Sequence, residues 1–85
     1  MKNLTNIIKE TKEEAKSDFA IKHDMVSMYT ADAKDYETVL KYVKAENIEP
    51  LRKHLQGMDT CSRERALNAI LEDKGTKYLN ELGWE

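Results

Sequence analysis

Little in this chain could hold a fold together covalently. A single cysteine, Cys61, occurs in 85 residues, which excludes an internal disulfide. His23 and His54 have no cysteine or further histidine at ligand spacing, which argues against a structural zinc site. No glycine-rich cofactor loop is present, and with one proline and three glycines the chain has few breaks. No apolar run approaches the roughly 18–20 residues of a membrane span. The opening MKNLTNIIKETKEEAK lacks the apolar core of a signal peptide. With one unpaired thiol, these absences lead to the expectation of a cytoplasmic protein without membrane insertion. Neither sign of charge dominates, since 14 bases face 16 acids for a net charge of −2. That balance disfavours a nucleic-acid binder, which carries a basic footprint. It also lacks the dense acidity of a nucleic-acid mimic.

What is present suits an all-α domain: 35% charged and 40% hydrophobic residues. A chain this short buries only about 60–65% of its unfolded surface, and ordering entropy cancels most of the gain. Small domains make up the shortfall with disulfides, a metal or another subunit. The first two being disfavoured, self-association as a homodimer or higher oligomer is expected.

The stretch from Asp35 to Leu55 organises the rest. Tyr36, Val39, Leu40 and Val43 fall at i, i+3, i+4 and i+7, the signature of one apolar helix stripe. Glu37 and Lys41 sit four apart on the opposite face, in the favourable order. As a residue of the organising stripe, Leu40 should cost roughly 2–5 kcal/mol when cut to alanine. Upstream, Asn3 is a fitting N-cap for a long amphipathic helix. Its seam is Leu4, Ile8, Thr11, Ala15 and Phe19, widened by Ile7, with a charged face from Lys9 to Lys16. Residues 19–30, FAIKHDMVSMYT, read as helix, with an imperfect strand alternation as the alternative. A bend is expected near residues 29–32, where Thr30 or Asp32 can cap the next helix, running from about Ala31 to Glu46. Without that bend the seam would continue as one helix.

Asn47 can cap a following helix that tolerates Pro50 in its first turn and buries Ile48, Leu51 and Leu55, with Gly57 as a left-handed stop. Asp59 or Thr60 caps a helix containing Ala66, Leu67, Ile70 and Leu71, ended by Gly75. Thr76 opens a last helix with Tyr78, Leu79 and Leu82, and Gly83 lets Trp84 fold back onto Leu79. Residues 1–85 thus read as a single compact bundle of four to five helices.

No residue set suggests an enzyme. Cys61 lies at a helix start, where a thiol can be activated, and His54 is the nearest base, but no spacing signature supports catalysis. Cys61 is better read as a small buried residue. The adjacent carboxylates Glu13–Glu14 and Glu72–Asp73 point about 100° apart and cannot converge on a substrate or ion. Arg52, Arg63 and Arg65 could form a phosphate-binding patch, but Glu49, Asp59 and Glu64 are interleaved with them, as in ordinary ion pairing. Met25, Met28 and Tyr29 form a soft apolar group suited to a partner. Tyr78 with Trp84 forms a second such group. Core is the favoured reading of both, and whichever is exposed marks the interface.

These readings converge on a non-enzymatic protein that binds another protein as inhibitor, adaptor or regulator. A dimeric nucleic-acid-associated regulator using Arg52–Arg65, or a structural subunit of a larger assembly, are the alternatives. In size and in its lysine-, glutamate- and asparagine-rich style, the chain resembles the small accessory proteins of large tailed bacteriophages. The resemblance covers the whole length, carries no motif and transfers no residues. It implies a protein that binds and redirects a host or viral protein.

Overall fold

A computed structural model describes residues 3–84 as six helices, with no strand among them. They are α1 (Leu4–Ala15), α2 (Asp18–Lys22), α3 (Val26–Ala45), α4 (Ile48–Gly57), α5 (Thr60–Lys74) and α6 (Thr76–Leu82). The all-α bundle expected from the sequence is therefore present, with one helix more than expected.

The extra helix comes from residues 16–25. Ser17 ends α1 by donating to the Glu14 carbonyl and starts α2 by accepting from the Ala20 amide. Asp24 then adopts φ +56°, and the Met25 amide reaches back to the Ala20 carbonyl at 2.8 Å. This six-to-one closure terminates a helix and turns the chain. The bend therefore lies at residues 23–25 rather than 29–32, and α3 runs through Thr30 and Asp32 unbroken. The long N-terminal helix is correspondingly shorter than expected, and Phe19 leaves its seam for solvent.

Elsewhere the caps are those the sequence signals. Asn3 accepts from the Asn6 amide, and Asp59 accepts from the Ser62 amide. Gly75 and Gly83 take positive φ at the ends of α5 and α6, and the Trp84 amide bonds to the Leu79 carbonyl at 3.0 Å. Two expectations fail. Gly57 has no positive φ and lies within α4, so it is not a left-handed stop. Asn47 precedes α4 but makes no side-chain cap bond.

α1 and α3 lie antiparallel. α4 folds back on α3, α6 packs on α4, and α5 bridges α6 to α1, so the contacts close a ring. Inside it sits one core cluster containing Leu4 and Ile7 from α1, Tyr36 and Val39 from α3, Leu51 and Leu55 from α4, Ile70 from α5 and Leu82 from α6. Thr11, the polar member of the α1 seam, is buried with its hydroxyl donated to the Ile7 carbonyl. Leu40 is only half-buried at the edge of this core, so the organising stripe of α3 is Tyr36, Val39 and Val43. α2 contributes nothing to the cluster. Its one buried residue, Ala20, rests between the end of α1 and the start of α3.

Candidate interaction surface

A short helix outside the ring has consequences for its side chains. Of α2's five residues only Ala20 is covered, so Phe19 and Ile21 project from it on either side. Phe19 is 57% exposed and Ile21 is 64% exposed. The first two turns of α3 extend the same end of the molecule, where Val26 is 39% and Met28 47% exposed. The Phe19 ring stacks, tilted, on His23 with centroids 4.4 Å apart, which holds the phenyl group on the surface. Only one further large apolar residue, Leu71 on α5, is as exposed among the described residues.

The suggested partner-binding residues fall in three places. Met28 lies at this exposed end, with Met25 and Tyr29 half-buried beside it. Tyr78 and Trp84 are half-buried and pack against the core from α6. Burial raises the Tyr78 hydroxyl above its ordinary value, helped by the charges of Glu46 and Glu81. The arginines are committed to different elements. Arg52 donates to the carbonyls of Leu82 and Glu81 at 2.9 Å each and pairs with Glu49, so it ties α4 to the end of α6. Arg65 pairs with Glu14 at 3.5 Å and Glu10 at 3.7 Å and lies over the Tyr36 ring, fastening α5 to α1 and α3. Arg63 is half-buried in the first turn of α5.

Cys61 is exposed, so it is not the small core residue expected. His54 faces Asp35 at 3.5 Å and the Tyr42 ring, which makes it a link between α4 and α3. Under the α3–α5 contact, burial pushes the Asp32 carboxyl up, and the Asp59 and Asp35 charges add to this. Asp59 itself is held below the ordinary carboxylate value by hydrogen bonds from Ser62. No group of three or more metal-ligating side chains is assembled among the described residues. No described helix is long and apolar enough to cross a membrane.

Sequence reasoning found Met28 but missed Phe19 and Ile21. Phe19 fits the α1 spacing, and only the Ser17 cap places it on a different helix. The signal was present as Ser17-Asp18, a capping residue followed by an acid in the first turn.

Comparison with known protein families, with curated proteins and with solved structures finds no match.

Proposed function

We propose that this chain acts by binding another protein, as an inhibitor, adaptor or regulator, through the end formed by α2 and the start of α3. One observation carries the reading. Of the five large apolar side chains left exposed among the described residues, four fall between Phe19 and Met28, around the one described helix that has no part in the core. Covering such a side chain gains about 1.5–3 kcal/mol, so a partner that buries Phe19 and Ile21 together gains substantially. Exposed apolar groups concentrated at one end are the usual mark of an interaction site. The commitment of Arg52 and Arg65 to internal partners speaks against the nucleic-acid alternative.

The test is the double variant Phe19→Asp with Ile21→Asp, used as bait beside the unaltered chain in lysate from the native source. Nuclease and high salt are included in both captures. Neither residue lies in the core, so the variant should keep its helical circular dichroism and melting temperature. It should lose a partner that the unaltered chain retains. A variant that keeps the same partner at the same yield refutes the assignment of this end. Self-association abolished by the substitutions would identify the partner as a second copy.

A further inference from the structure

Between α1 and α3 the two helices leave an open seam on the side away from the core. Two hollows of about 420 and 310 Å³ lie along it and share Glu37. The first is bounded by Thr5 and Ile8 of α1 and by Leu40, Lys41 and Lys44 of α3. The second continues past Ala15 and Ala33 to Thr30 and Val26. The helices contribute periodic rows, 5-8-12-15 from α1 and 26-30-33-37-40-44 from α3. We propose that this seam is a docking groove for an acidic, amphipathic helix of a partner protein. The proposal rests on the reading of this chain as a protein-binding module and adds a second surface, lined by α1 and α3, to the α2 end.

Charge gives the sign of the occupant. Five lysines line the groove, Lys12, Lys16, Lys34, Lys41 and Lys44, against one acid, Glu37. The local balance of five minus one, +4, stands in a chain whose net charge is −2. Glu37 is already paired with Lys12 at 3.3 Å across the seam, which leaves the other four lysines facing solvent. Beneath them the floor is apolar and partly built from small residues, with Ala15 and Ala33 between Val26 and Leu40. Lysine stems lie along apolar surface while their ammonium groups reach outward, so both features are available to one ligand. The ligand must present apolar side chains inward and carboxylates outward.

Shape gives its conformation. The α3 row from Val26 to Lys44 spans about 27 Å at 1.5 Å per residue, the length of a helix of about 18 residues. An extended peptide would need unpaired backbone groups to bond to, and two intact helices offer none along their sides. A concave seam floored with alanines cannot insert into a bilayer, which takes a protruding apolar ridge. Nucleic-acid backbones favour a polar, cationic track with stacking platforms, and this floor is aliphatic.

The experiment titrates the full chain, labelled with ¹⁵N, with three synthetic peptides of about 18 residues, the length set by the groove. The first has leucines at i, i+3, i+4 and i+7 flanked by glutamates. The second replaces the glutamates with lysines, and the third keeps the glutamates but lacks the leucines. Binding of the first alone is expected, with amide shifts confined to residues 5–16 and 26–44. Lys34→Glu with Lys41→Glu should weaken it by roughly tenfold, the sum of two rim-charge reversals. Glu37→Gln should tighten it, because it removes the one repulsive carboxylate and releases Lys12. These three side chains are exposed, so the fold is not at stake. No binding, equal binding of the second or third peptide, shifts elsewhere, or no gain from Glu37→Gln each overturns the groove. None of these variants alters Phe19 or Ile21, so the groove and the α2 end can fail separately.

Discussion

At the scale of single residues, two aspartates pull the pH dependence of stability in opposite directions. The folded chain raises the Asp32 carboxyl from 3.8, through burial first and the neighbouring Asp59 and Asp35 charges second. Asp32 therefore costs stability, a cost absent below 3.8 and complete above its raised folded value. Asp59 does the reverse. Lowered by its Ser62 hydrogen bonds, it contributes fully above 3.8 and loses that contribution as pH falls through its folded value. Asp32→Asn, which keeps an acceptor for Ser62, should raise the melting temperature at neutral pH, by an amount that solvent screening keeps small. The gain should vanish in acid, below 3.8. Asp59→Ala should lower the melting temperature at neutral pH by an amount that shrinks in acid. Melts followed by circular dichroism across the acid range check both, and a neutral-pH loss from Asp32→Asn would sink the account. The capping role of Asp59 was legible in the sequence. The burial of Asp32 was not, because it arises only where α3 meets α5.

At the scale of elements, the legible and illegible parts divide by how the helices stop. Three helices end in the same closure, with a left-handed residue followed by an amide that bonds five residues back. The left-handed residues are Asp24, Glu46 and Gly83. Only Gly83 announces itself in the sequence. Asp24 and Glu46 bear the steric cost of positive φ that glycine avoids. This is why the stop after α2 could not be located by composition, whereas the end of α3 near Glu46 was legible from the Asn47 and Pro50 signals of the next helix. Gly57, a glycine at a helix end, proved to have ordinary φ. The apolar stripes themselves were legible, since a core-facing row needs only the right period. Their edges were not: Leu40 has the period of the α3 stripe but sits over the seam with α1. Leu55→Ala, emptying a fully buried site, should cost about 2–5 kcal/mol in urea denaturation. Leu40→Ala should cost less than about 2 kcal/mol, because water and the lysine stems can close over the gap. A larger loss from Leu40→Ala than from Leu55→Ala would show that the core is centred elsewhere.

The whole molecule is longer than a sphere of its mass, 41 by 25 by 21 Å, with a radius of gyration of 13.1 Å. A rounded domain of this length would have a value of about 12 Å. The start of α3, with α2 beside it, continues beyond the ring of helices around the core, and this is the end that carries Phe19, Ile21 and Met28. The ring follows from helix count and short turns, so its all-α character was readable in advance. The exposed end depends on a five-residue helix, too short to show a period, and so needed the structure. The gathering of lysines along one side likewise depends on how two separate helices, α1 and α3, pack side by side. A protein of net charge −2 should, by its total, pass straight through a cation-exchange column at neutral pH. Its resin-facing side, however, would present the five-lysine seam, and a column samples the best orientation rather than the average. The chain should therefore be retarded at low salt, and Lys34→Glu with Lys41→Glu should abolish the delay by more than the change in total charge accounts for. Elution of the unaltered chain in the void volume would contradict this picture of a small acidic protein that behaves, from one side, as a base.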